Sequence, residues 1–310
     1  MITHHTTRIA KCLTTITTII TIAVICGTQV PALAQSSDAS PALPGNGAKA
    51  KAGAVALTPN QPAPPSDFHV IKGRVARGKV MFFEYESEAD GGIYCATIHT
   101  PPEFSPDKKY PVLYLLHGAS GNEHTWTQIL RASAILDNLY AGKKLEPMLV
   151  VMPASVRVAT RREAKELEGA TFEDVLLRDL IPFVEAHYPA LAEREHRALA
   201  GLSMGADTAL NTGLLNTDKF AWIGAFSGGN TRRLASNSRL DLTSPERQPR
   251  LLWLSVGHRD KMMIDGTLAT DAFLTEKKIP HVFRINSGGH EPRVWMTDLY
   301  HFAPMLFQTQ

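Results

Sequence analysis

Cysteine is scarce in this 310-residue chain, which holds only Cys12, Cys26 and Cys95. Three cysteines exclude a disulfide-stapled scaffold, so stability must come from a core, for which a 44% hydrophobic composition suffices. Net charge is nearly absent. The formal value is +2; Arg8 and Lys11 account for it, because residues 1–34 contain no acid. A balanced remainder gives no support for nucleic-acid binding, which depends on a basic face. Uninterrupted apolar runs are missing too. The longest, Leu13 to Cys26, is broken by threonines and falls short of the ~20 residues that span a bilayer. No set of His and Cys has metal-ligand spacing, since His4-His5 stand together near the start and His281 stands alone on an expected strand.

The first 34 residues have the parts of an export signal. Arg8 and Lys11 form a basic region, the apolar run follows, and Ala32-Leu33-Ala34 offers small residues for cleavage. Bulky Ile25 before Cys26 argues against a lipoprotein anchor. Cleavage after Ala34 removes Cys12 and Cys26 and leaves Cys95 as a buried packing residue. The expectation is a secreted or periplasmic protein with no stable membrane insertion. Residues 35–66, rich in Ala, Pro, Ser and Gly, carry no apolar period and read as a disordered linker. Residues 67–310 then form the domain.

Within the domain, Lys79–Glu86 and Ile93–His99 read as two strands around Gly91-Gly92. Apolar runs at Val112–Leu116, Met148–Met152, Ala198–Gly201, Trp222–Phe226, Leu251–Val256 and Val282–Ile285 suit buried strands. Helical spacing separates them, as in Ile129, Ile135, Leu136 and Leu139, and again from Phe172 to Phe183. This alternation predicts an α/β fold with a mostly parallel sheet covered on both faces. An open sheet and a closed barrel both satisfy it.

The motifs distinguish the two. Gly201-Leu202-Ser203-Met204-Gly205 follows the expected strand His196–Ala200 and precedes a helix-like run, Ala206–Leu215. A serine at the tip of a sharp strand-to-helix turn needs unusual torsions, and small residues at −2 and +2 let the turn close. Ser203 is the candidate nucleophile. His117-Gly118-Ala119 ends another strand, and the N–H groups of Ala119 and Met204 are the candidate oxyanion donors. His117 itself reads as a prop for this loop. Downstream, Asp260 follows the strand Leu251–Val256 as candidate acid, with Asp265 as competitor. His290, after Gly288-Gly289, is the candidate base, with His258 as the alternative.

Taken together, Tyr110 to Gly118, Gly121-Asn122-Glu123 with Trp126, Arg194 to Gly205, Gly288 to Glu291, and Val294-Trp295 with Leu299-Tyr300 make the chain resemble a known family. It is similar to the esterase D-like hydrolases, specifically the carbohydrate esterases that include bacterial feruloyl and acetylxylan esterases. The resemblance implies the α/β-hydrolase fold, a Ser203–Asp260–His290 triad, oxyanion donors at Met204 and Ala119, and no cofactor. The substrate it implies is a small-molecule or oligosaccharide ester of the kind found on plant polysaccharide. A siderophore-type esterase, an acyltransferase and a non-catalytic carbohydrate-binding relative are the alternatives.

Two departures from the family stand out. Ala206 occupies a position where relatives usually carry a second glycine. Residues 154–171 hold no aromatic, although this loop should border the acyl pocket. A feruloyl ring gains from aromatic stacking, so the expectation shifts toward short acyl groups. Trp126 is the one candidate substrate-binding aromatic, with core packing as its other reading. Arg157, Arg161, Arg162 and Lys165 are offset by Glu163, Glu166 and Glu168, the pattern of a solvated helical face.

Overall fold

The computed structural model describes residues 62–160, 170–230, 234, 240, 242 and 244–308. The expected leader, most of the linker and the charged stretch 161–169 lie outside the described residues. Of the linker, residues 62–66 carry no helix or strand, and among the described residues Phe68 is the first side chain sunk in the core, edge-on to Tyr300 at 5.2 Å.

Among the described residues, nine strands form one sheet: β1 (Lys79–Glu86), β2 (Gly92–Thr100), β3 (Val112–Leu116), β4 (Leu149–Pro153), β5 (Ala159–Thr160), β6 (Arg197–Leu202), β7 (Trp222–Phe226), β8 (Leu251–Gly257) and β9 (Val282–Asn286). Their spatial order is β1-β2-β4-β3-β6-β7-β8-β9, with β5 paired to β2. The pairs β1–β2 and β2–β4 are antiparallel, and every pair from β4 to β9 is parallel. The sheet is therefore open, and the closed barrel is excluded.

Strand β3 shows why these sequences read as unbroken apolar runs. Val112, Tyr114 and Leu116 enter the core layer that contains Leu199, Leu210 and Ile223. Leu113 and Leu115 enter the opposite layer with Ala200, Trp253 and Phe302. Successive side chains alternate faces, and both faces are covered, so each position must be apolar. Cys95 is buried in β2, as a packing residue would be.

The α-helices with described bounds are α1 (Ala132–Ala141), α2 (Phe172–Val175), α3 (Ile181–His187), α4 (Met204–Leu215), α5 (Ile264–Glu276) and α6 (Pro292–Phe302). A π turn, Leu176–Leu180, joins α2 to α3. The expected helix through Ile129 is split: a π turn, Thr125–Ile129, ends before α1 begins. Arg131 adopts φ 54°, which breaks the helical path before Ala132, and Ile129 is left 62% exposed. Leu130 fills the core in its place. His281 precedes β9 and is paired with Asp271 at 2.9 Å, so it neither lies on the strand nor stands alone.

Chain order reverses around β3. From it the chain moves outward to β4 on one side, and β6 lies on the other. The carboxyl ends at such a reversal leave a crevice between loops that diverge. Leu116, the last residue of β3, pairs with Gly201 of β6. That register sets the loop after β3 beside Ser203.

Candidate active site

Ser203 sits between β6 and α4 with φ 52° and ψ −120°, a conformation that L-residues seldom hold. Its backbone N–H donates to the Phe226 carbonyl at 2.9 Å, which ties the turn to β7. The flanking glycines are required by close approach. A side chain on Gly201 would place Cβ 2.5 Å from the Gly205 carbonyl oxygen, and one on Gly205 would meet Leu116 Cβ at 2.9 Å. Ala206 departs from the family pattern without disturbing the turn. It packs against Gly228, where a Cβ would collide with the alanine methyl.

Three loops bring the polar groups together. Ser203 Oγ–H donates to His290 Nε2 at 2.9 Å, and His290 Nδ1–H donates to Asp260 Oδ2 at 2.8 Å. Asp260 is fully buried, and its other oxygen accepts from the backbone N–H groups of Met262 at 3.2 Å and Met263 at 3.0 Å. A buried carboxylate satisfied in this way is fixed in place. The loops after β8 and β9 are joined by His258 N–H to Asn286 O and Arg259 N–H to Gly288 O, both 2.9 Å. The edge of Trp295 lies against the His290 ring, centroids 5.0 Å apart. The competitors stand elsewhere. Asp265 is exposed in the first turn of α5, and His258 Nδ1 lies within 3.2 Å of the Asn286 carbonyl and the Gly288 N–H.

On the other side of Ser203 lies the loop after β3. Gly118 packs so closely that a Cβ would stand 3.2 Å from Ser203 Cβ. Its carbonyl accepts from the Gly121 N–H at 3.1 Å and from His117 Nδ1–H at 2.6 Å. In a trans peptide the C=O and the next N–H point in opposite directions. Holding the Gly118 carbonyl therefore aims the Ala119 N–H. Met204 is the first residue of α4, so its N–H has no acceptor within the helix. Burial holds the pKa of His117 below the ordinary imidazole range, which keeps the ring neutral.

A cleft of about 490 Å³ opens beside Ser203 and His290. Trp295, Met262, Ile129, His124 and Gln128 contribute to its walls. Behind Met204 a second cavity, bounded by Ser155, Phe172 and Thr208, measures about 10 Å³. Trp126, a candidate substrate contact, is not part of the cleft. It is 1% exposed, its indole N–H donates to the Leu116 carbonyl at 3.0 Å, and its ring packs edge-on to Phe226. An aromatic early in a helical segment faces the sheet when the core needs the volume, and β3 ends beneath this one. Trp295 was recognisable only as part of the Val294-Trp295 motif; its proximity to His290 requires α6 to be placed. Arg157 is engaged by Asp90 at 3.3 Å.

An open sheet of this order, with Ser203, Asp260 and His290 on loops at the carboxyl ends of its parallel strands, defines an α/β-hydrolase fold. The chain belongs to the Esterase family, whose sequence model matches residues 87–300. Over 175 residues, 54% of this chain and 24% of the relative, it is 33% identical to an endo-1,4-beta-xylanase/feruloyl esterase of Xylanibacter ruminicola. The chain thus spans about a quarter of that relative's length. Among solved structures it is similar to a CE1 ferulic acid esterase of the anaerobic fungus Anaeromyces mucronatus. There the TM-score is 0.67 at 22% identity, covering 79% of this chain and 96% of the other. It is also similar to the feruloyl esterase module of Clostridium thermocellum, with TM-score 0.61 and 21% identity over 82% and 94% of the two chains. These structural likenesses speak to the fold.

Proposed function

We propose that this chain is an exported serine carboxylic ester hydrolase that removes short acyl groups from plant polysaccharide or its oligosaccharides. The observation that carries the reading is the unbroken relay Ser203 Oγ–His290 Nε2–His290 Nδ1–Asp260 Oδ2, at 2.9 and 2.8 Å. In this reading His290 takes the Ser203 proton as Oγ attacks the ester carbonyl, and Asp260 stabilises the imidazolium. The N–H groups of Ala119 and Met204 receive the oxyanion. Collapse of the tetrahedral intermediate expels the alcohol, protonated by His290, and leaves an acyl group on Ser203. Water, deprotonated by the same imidazole, releases the acid.

The acyl preference is supported by two features. Trp126 is withdrawn into the core, and the cavity behind Met204 is about 10 Å³, room for roughly one water. Export rests on Arg8, Lys11, the apolar run and Ala32-Leu33-Ala34. A fluorophosphonate probe tests the core of the proposal. It should label the wild type and fail to label Ser203→Ala; equal labelling of both proteins rejects the assignment. Mass spectrometry of exported protein should find a mature start at Gln35, and a retained Met1 rejects cleavage.

A further inference from the structure

Among the described residues, the wall of the cleft holds no lysine, arginine, aspartate or glutamate. Its ionisable groups are the two imidazoles of His124 and His290, and its polar surface comes from neutral Ser120, Asn122, Thr125 and Gln128. A phosphorylated or carboxylated alcohol would find no cationic side chain there, and burying an unpaired charge is costly. Ile129, Met262 and Trp295 supply apolar surface between these polar groups, as the C–H faces of a sugar require.

His124, on the wall of the cleft, has an aromatic partner outside it. Phe82 on β1 is 45% exposed, and its ring stacks on His124 with centroids 6.1 Å apart and planes 29° from parallel. The placement follows from sheet register. Phe82 is the cross-strand partner of Thr97, so the two side chains share a face. Thr97 Oγ–H donates to the Glu123 carbonyl at 2.7 Å, which draws the His124 segment over β2 and against Phe82. The imidazole is held by buried Glu123 at 3.2 Å, and the His124 backbone N–H donates to Asn122 Oδ1 at 3.0 Å. The result is a braced, half-exposed aromatic pair that joins the uncharged wall of the cleft through His124. Flat aromatic faces carry partial negative charge. They complement the C–H-rich face of a pyranose ring, whose hydroxyls then reach neighbouring amides and hydroxyls.

We propose that Phe82 and His124 form an outer sugar-stacking platform, so that the ester is taken on a neutral oligosaccharide of two or more units. His290 returns its proton to the leaving alcohol, and the cleft that His290 lines is therefore the side on which the sugar chain lies. This inference rests on the ester-hydrolase reading.

The experiment compares kcat/KM on acetylated xylotriose with kcat/KM on p-nitrophenyl acetate, which has no sugar to stack. In Phe82→Ala the ratio should fall about fivefold, the factor equal to ~1 kcal/mol of ring stacking. Phe82→Trp should restore it, and Phe82→Leu, apolar but not flat, should not. His124→Ala provides a second route to the same loss if Phe82→Ala does not fold. An unchanged ratio in a folded Phe82→Ala or His124→Ala protein overturns the platform, as does full activity in Phe82→Leu. If the wild type cleaves neither ester, the hydrolase reading has failed, and calorimetric titration with unesterified xylotriose then decides the platform alone. Wild-type binding weakened about fivefold in Phe82→Ala supports it, and absence of binding to the wild type overturns it.

Discussion

His117 Nε2 accepts hydrogen bonds from the Ser155 backbone N–H at 3.0 Å and from Ser155 Oγ at 3.1 Å. The proton on the imidazole is thereby assigned to Nδ1, which donates to the Gly118 carbonyl. Through one peptide plane, this neutral ring aims the Ala119 N–H. His117→Ala should lower kcat by about 10- to 100-fold with a smaller change in KM, a part of the ~2.7–4 kcal/mol that complete loss of an oxyanion donor costs. His117→Asn, whose amide N–H stands near the place of ring Nδ1–H, should retain more activity than His117→Ala. Steady-state kinetics on p-nitrophenyl acetate checks both; equal kcat in the wild type and the alanine variant rejects the role.

The proposed triad should behave as one unit. Ser203→Ala and His290→Ala should each remove nearly all turnover, and the double variant should lose little more. Asp260→Asn should also be severely impaired, because its oxygen is held by the Met262 and Met263 N–H groups, which turns the amide NH2 toward His290 Nδ1 and costs the imidazole its tautomer. Initial rates on a soluble acetyl ester provide the measurement. Losses that multiply in the double variant, or full activity in Asp260→Asn, contradict the assignment.

Acetyl esters should be turned over with higher kcat/KM than feruloyl esters of the same alcohol. An aromatic pair is worth ~0.5–1.5 kcal/mol, and the cavity of about 10 Å³ beside Phe172 does not admit a ring to stack there, which amounts to a preference of roughly 2- to 13-fold. Matched acetyl and feruloyl substrates decide. A feruloyl preference that disappears in Trp295→Ala would show that the cleft beside His290 receives the acyl group.

Ala206 and Gly228 should be mutually dependent. Gly228→Ala forces a Cβ against the Ala206 methyl and should cost ~1–3 kcal/mol of stability, as overpacked cores do. Adding Ala206→Gly should recover most of that loss, giving a coupling well above zero in a double-mutant cycle. Urea unfolding of the four proteins measures it, and additive effects would refute direct contact as the cause.

Asp298 on α6 gives stability a pH dependence. Burial pushes its pKa up to about 7, although Asn286 Nδ2–H donates to it at 2.6 Å. The unfolded chain releases this proton near the ordinary carboxylate value, so the contribution to stability is fully present below ~4. It is lost as pH rises through about 7, and totals ~4 kcal/mol in order of magnitude. In Asp298→Asn the amide oxygen still accepts from Asn286 and nothing titrates. The variant should therefore gain on the wild type steadily from about pH 4 to about pH 7 in denaturant melts, with no further gain above that. A difference that stays constant over that range refutes the account.

Much of this architecture was legible before any coordinates. Gly201, Ser203 and Gly205 announce a strained turn because few residues tolerate its torsions and close contacts. The unbroken apolar strands announce a sheet covered on both faces. Asp260 and His290 were identifiable because loops after parallel strands converge at one edge. What periodicity misread was local. Ile129 fits a helical stripe, yet the left-handed turn at Arg131 excludes it from α1 and exposes it in the cleft.

The sequence by itself determined the backbone chemistry of the site: which turn can hold Ser203, which residues can titrate near it, and which side chains must be apolar. Tertiary structure decided what surrounds them. Trp126 and Trp295 are equally aromatic in the sequence, but the space under β3 buries the first and the docking of α6 brings the second against His290. Phe82 and His124 lie far apart along the chain, and only the β1–β2 register and the Thr97–Glu123 hydrogen bond stack them. Contacts between distant segments depend on register and volume, which are properties of the assembled core and not of any one stretch of chain.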